Sequence, residues 1–182
     1  MSWSMEGSVR RTKVGDHCVI GGDNVLAMQR FIRDDSIDLI YLDPPFNSAK
    51  ERAIDWADGR RAFSDQFGNI AAYLEWIKPR LTECARVLKY GGAFFLHCDW
   101  RTSHYLKIQL DELFGASAFV NEIIWRRHNG HSDSRQGTRH FGRNADSILF
   151  YGKGERKTWQ PQFKAYDDSY VARAYRYTDE NG

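Results

Sequence analysis

The chain has 182 residues and little of what would mark a membrane, secreted or uniformly basic protein. Its apolar runs, such as residues 93–96, fall far short of the roughly 20 residues that a membrane helix needs, and no basic-then-apolar signal opens the chain. Three cysteines (Cys18, Cys84 and Cys98) are scattered, odd in number and without Cys-x-x-Cys spacing. They exclude a disulfide framework or a zinc knuckle built from cysteine alone. Prolines number only four, and two of them are adjacent. A net charge of +2 excludes a chain coated with positive charge, so any basic surface is local. These absences predict a cytoplasmic protein in a reducing setting, with no membrane partner.

What is present is a core-forming composition: 42% of residues are hydrophobic and 14% aromatic, sufficient for one compact domain. Residues 1–17 read as a loose leader. Cys18, Val19 and Ile20, closed by Gly21 and Gly22, predict a short strand. Asn24 is placed to cap a helix with Val25, Met28 and Ile32 on one face. Residues 37–42 then form a mostly apolar run, the pattern of a strand buried between helical layers. It stops at Pro44 and Pro45, which remove two backbone donors.

Residues 46–67 are polar and irregular and predict a mobile loop. Ile70, Tyr73, Leu74, Ile77 and Leu81 fall at helical spacing, with Pro79 expected to kink that helix. Residues 93–98 predict a strand after Gly91 and Gly92. Tyr105, Leu106, Gln109, Leu110 and Leu113 predict a helix ended by Gly115. Strands follow at 119–125 and 145–151, with a loop of Gly, Ser, His and Arg between them. The tail from residue 159 shows no clear periodicity. Strands alternating with helices predict an α/β fold: a Rossmann-like, three-layer, mainly parallel sheet. The chain ends without a closing element, which predicts an incomplete fold and the front part of something longer.

The most specific feature is Asp43-Pro44-Pro45-Phe46, just beyond the carboxyl end of a strand, where open α/β sheets bind ligands. It has a direct chemical use. An exocyclic base amine is a poor nucleophile because its lone pair is delocalised into the ring. The Asp43 carboxylate and the Pro44 carbonyl can accept its two N–H bonds and free that lone pair. Pro45 stiffens the turn, Phe46 offers a face for an extruded base, and Asn47 adds a polar contact.

Gly22-Asp23-Asn24, the run through Asp43-Pro44-Pro45-Phe46-Asn47, and Gly91-Gly92 with His97-Cys98-Asp99 resemble site-specific DNA amino-methyltransferases of the permuted, beta-type order. So do Ser103 to Lys107, Asn121 to Arg127 and Phe141-Gly142-Arg143. The resemblance implies S-adenosylmethionine as cofactor, DNA as substrate and the 6-amino group of adenine as target, with the 4-amino group of cytosine as the close variant. It implies a restriction-modification setting and catalysis by Asp43, Pro44, Pro45 and Phe46. Asp23 and Asp43 would bind the cofactor. The chain contains no Phe-x-Gly-x-Gly cofactor loop, so it resembles the catalytic half of such an enzyme (18–125), followed by a DNA-contacting loop, a strand and the start of a target-recognition region (126–182). A missing C-terminal half, a second copy or a companion nuclease are the implied partners. A DNA-binding remnant, or an enzyme acting on RNA or on protein glutamine, are the alternatives.

Other signals are weaker. His97 and Asp99 share one strand face, but two ligands do not make a metal site, so none is expected; Asp99 is expected at the pocket rim. Residues 126–157 hold eight Lys or Arg against three acids, which marks Arg126, Arg127, Arg135, Arg139 and Arg143 as candidates for DNA contact. No cysteine stands in a Pro-Cys setting, so direct transfer is expected, without a covalent enzyme–base adduct.

Overall fold

The computed structural model describes residues 9–48, 50–53, 61–127, 139–154, 160–161, 163 and 165–174. A hairpin of β1 (Arg10–Val14) and β2 (His17–Gly21) opens the fold, where the sequence predicted a loose leader and one short strand. The side chains of β1 are all exposed, so this pairing leaves no hydrophobic alternation to read. Helix α1 (Asn24–Phe31) follows, capped by Asp23 and not by Asn24: the Asp23 Oδ1 accepts the amides of Val25 and Leu26 at 3.0 and 3.1 Å. Strand β3 (Ile37–Leu42) ends at the two prolines as expected.

The polar segment after the prolines is not wholly irregular. It contains an antiparallel ribbon, β4 (Lys50–Ala53) with β5 (Arg61–Asp65). Helix α2 (Ile70–Val87) then runs unbroken through Pro79. Arg80 donates to the Trp76 carbonyl at 2.7 Å and Thr82 to that of Lys78 at 3.0 Å, so two carbonyls in the turn before the proline gain side-chain donors. The chain continues through β6 (Leu88–Cys98), α3 (Ser103–Phe114), β7 (Phe119–Arg126) and β8 (Ala145–Gly152). Gly115 closes α3 at φ +87°, a conformation that suits glycine. A short exposed helix, α4 (Asp168–Ala174), stands in the tail, where no element was expected.

The central sheet has the order β3-β6-β8-β7. β3 and β6 are parallel, while β8 is antiparallel to both of its neighbours. Three of the four strands point one way, but two of the three pairings are antiparallel, so the sheet is mixed where a mainly parallel one was expected. Tyr73, Ile77, Leu81 and Val87 of α2 join Met28 of α1 and Leu106 and Leu110 of α3 in one core over Phe94 and Leu96. All three helices thus cover the same face. Of the three layers expected, the described residues form two; the opposite face presents Leu39 and Tyr41, 57% and 52% exposed.

Polar ties lock the layers together. Arg86 donates to the Met28 and Ile32 carbonyls and pairs with Glu83 and Asp34, closing the end of α1 onto α2. Asp111 on α3 takes Lys107 and the Tyr151 hydroxyl, each at 2.7 Å, and fastens α3 to β8. Lys107 first, and then Tyr151, hold the Asp111 carboxyl below its ordinary range. A depressed native pKa gives stability that is full at neutral pH and fades as pH falls through the carboxylate range. Asp111→Asn is expected to cost about 1 kcal/mol in urea unfolding at neutral pH, and the gap to wild type should narrow on acidification. A gap that does not change with pH would contradict this role.

Candidate active site

The two prolines end β3 level with the carboxyl end of β6, because Leu42 pairs with Leu96 in the parallel register. Asp43 therefore leaves its strand beside His97. Its side chain is 61% exposed, and Oδ1 lies 3.4 Å from His97 Nδ1. Pro44 is buried, which anchors the turn beneath that exposed carboxylate. The Phe46 ring meets the imidazole edge-on, with centroids 5.1 Å apart at 62°.

His97 is held from three sides. The Tyr41 hydroxyl lies 3.2 Å from Nδ1, and Asp146 Oδ2 lies 3.3 Å from Nε2. Asp146 is 4% exposed, and Arg127 Nε stands 3.3 Å from its Oδ1. The Tyr41 phenol titrates above its ordinary range, through lost hydration first and then the negative charges of Asp43 and Asp146, so it stays protonated. The sequence marks His97 through the family resemblance and as a would-be metal ligand without enough partners, and it gives no sign of Asp146. The link depends on the pairing of His97 with Ile148 across two distant strands, which has no local signature.

The loop after Phe46 is stapled to the ribbon. Asn47 has φ +56° and accepts the Phe67 amide at 3.3 Å through its side chain. The Ser48 hydroxyl bonds to Asp65, which is 1% exposed. The Asn47 side-chain oxygen is thus engaged within the protein, bracing the loop that carries Asp43. Asp99 is similarly taken: it is 2% exposed, accepts the Arg101 amide at 2.9 Å and pairs with that guanidinium, so it holds the turn into α3 and does not line a rim.

Asp23 lies apart from this cluster in its bonding. With Oδ1 engaged by the α1 cap, its Oδ2 receives Arg80 at 2.7 Å, and Arg80 stacks on Trp76 at 4.1 Å. Of the arginines, Arg127 donates to the Arg143 carbonyl at 2.6 Å, and Arg143 stacks over Trp100 at 4.0 Å. Arg126 and Arg139 are exposed, and Arg135 lies outside the described residues. Among the described residues no group of His, Cys, Asp and Glu has the makings of a metal site. Burial pushes the Cys84 and Cys98 thiols up to about 12, so neither offers a thiolate near neutral pH.

Residues 37–181 match the DNA methylase family. The chain belongs to this family. As a DNA methylase family member it is 32% identical over 164 residues to the type II methyltransferase M.EcaI of Enterobacter cloacae, covering 90% of this chain and 35% of that protein. It is 27% identical over 143 residues to the Mod subunit of the type III restriction-modification enzyme StyLTI of Salmonella typhimurium, covering 66% of this chain and 22% of that subunit. The chain therefore spans about a third or less of the length of these curated relatives. Among solved structures, the PvuII DNA methyltransferase (cytosine-N4-specific) matches with a TM-score of 0.53 at 12% identity, over 85% of this chain and 60% of that one. That likeness is one of fold. It places this DNA methylase family member among methyltransferase folds, of which the described residues make part. No helix among them is long and apolar enough to cross a membrane.

The left-handed backbone at Asn47 separates two contributions. Asn47→Ala loses both the bond to Phe67 and the tolerance for positive φ, with an expected cost of about 2 kcal/mol in urea unfolding. Asn47→Gly restores the backbone freedom and should cost about 1 kcal/mol less than Asn47→Ala. Equal losses would assign the whole effect to the side-chain bond.

Proposed function

We propose that this chain carries the amine-binding side of an S-adenosylmethionine-dependent DNA amino-methyltransferase of a restriction-modification system, with the 6-amino group of adenine as its preferred target. The observation that carries the reading is Asp43, an exposed carboxylate just beyond the carboxyl end of a parallel strand, followed by a buried proline, in a chain of the DNA methylase family. Carboxyl ends of such strands are where α/β sheets hold their ligands.

In this reading Asp43 accepts one N–H of the target amine and the Pro44 carbonyl accepts the other. Electron density shifts toward nitrogen, and its lone pair turns out of the ring plane. Preorganised acceptors do this without reorganisation when the reaction occurs, which is the main source of rate. Phe46 supplies an aromatic surface for the extruded base, a contact of about 1–3 kcal/mol. Pro45 keeps the turn from relaxing. Transfer is direct, in keeping with two buried thiols that stay protonated.

When bound, S-adenosylmethionine supplies the electrophilic methyl group. Its cationic centres fit the exposed Asp43 carboxylate, which is the acidic group that this chain offers openly at the strand ends. Asp23 would meet the cofactor only as a carboxylate already shared between a helix cap and Arg80. The exposed Arg126 and Arg139 are the arginines assigned to the DNA backbone, with Arg143 and Arg127 bracing that segment. A companion nuclease fits the reading, because one relative is a Mod subunit of a restriction-modification enzyme.

The test is methyl transfer from labelled S-adenosylmethionine into duplex DNA, with RNA and protein offered in competition and the product digested to nucleosides. Label in N6-methyladenine is expected, and Asp43→Ala should lose at least about a thousandfold of the rate. Label confined to RNA or protein, or near-normal turnover by Asp43→Ala, would overturn the reading.

A further inference from the structure

Resting on the reading of Asp43 as the group that binds the target amine, we propose that His97 is a positioning residue for it. Clamped by Asp146, His97 acts through Asp43, accepting from it at Nδ1 the proton that the amine releases.

The argument begins with the tautomer. Tyr41 keeps its proton and its hydroxyl lies 3.2 Å from Nδ1, so it donates there and Nδ1 acts as the acceptor. The ring proton then sits on Nε2, donated to Asp146 Oδ2 at 3.3 Å. Which nitrogen carries the proton is set by the partner of the other, here a carboxylate that is 4% exposed and backed by Arg127. Nδ1, which accepts the Tyr41 hydroxyl, also lies 3.4 Å from Asp43 Oδ1, near enough to take a proton from a protonated Asp43. Phe46 covers one edge of the ring at 5.1 Å and limits its rotation.

Methylation leaves one proton too many on the amine nitrogen. One N–H bond breaks, its electron pair returns to nitrogen, and the proton passes to Asp43. From there it moves to Nδ1, giving an imidazolium flanked by Asp43 and Asp146, and it leaves to water while Asp43 regains its charge. The groups facing the imidazole are Tyr41 from β3, Asp43 just past it and Asp146 from β8, with Arg127 just past β7 acting through Asp146.

Two measurements decide this. The first is nitrogen-15 NMR of the imidazole in the full 182-residue chain. The neutral ring should carry its proton on Nε2, and that preference should weaken in Asp146→Ala. A neutral ring protonated on Nδ1, or a tautomer unchanged in Asp146→Ala, would overturn the proposal. The second is the pH profile of single-turnover methyl transfer. His97→Gln should slow the step about 10- to 100-fold and remove a limb of the profile, while S-adenosylmethionine affinity stays within about twofold of wild type. If Asp43→Ala abolishes transfer and His97→Gln leaves rate and profile unchanged, the role of His97 falls while that of Asp43 stands. If Asp43→Ala stays active, the reading of the site itself fails.

Discussion

The parallel pairing of β3 with β6 is the constraint on which the rest of this molecule depends. A parallel pair brings two carboxyl ends to the same edge, and the double proline fixes where the first strand stops. Leu42 beside Leu96 then places Asp43 next to His97 with no further adjustment. A slip of one residue would turn every side chain of β3 to the other face, burying Tyr41 and exposing Ile40 and Leu42. The apolar core beneath Ile40 and Leu42 resists such a slip, so core packing and site geometry are one requirement.

β8 adds the second level. Because it runs against both neighbours, it presents its first residues where β6 presents its last, and Asp146 arrives beneath His97. A buried carboxylate there needs a partner, and His97 and Arg127 supply it. The site is thus assembled from three strands whose shared edge comes from sheet topology. The loop that carries Asp43 is braced separately, through Asn47 to Phe67 and Ser48 to Asp65.

Local chemistry made part of this legible in the sequence. Asp43-Pro44-Pro45-Phe46 is contiguous, and a strand stopped by two prolines can be read without any partner. The periodicity of α2 survived Pro79 because its buried face, Tyr73, Ile77 and Leu81, outweighs one lost backbone bond. What escaped was non-local. Asp23 and Arg80 lie 57 residues apart, and His97 and Asp146 lie 49 apart, so neither pairing leaves a local pattern. The β1–β2 hairpin escaped for another reason: its first strand buries no side chain, so the alternation that marks a strand is missing. Asp99 is legible as a polar group near the site, but whether such a group faces the ligand or the protein is decided by what folds against it.

The central claim is that the exposed Asp43 carboxylate lies where the cofactor and the target amine meet. Calorimetric titration with S-adenosylmethionine, with and without duplex DNA, tests it most directly when wild type and Asp43→Ala are compared. The account predicts micromolar binding by the wild-type chain and at least about a tenfold loss in Asp43→Ala with the fold intact. Equal affinity in the two proteins would contradict it.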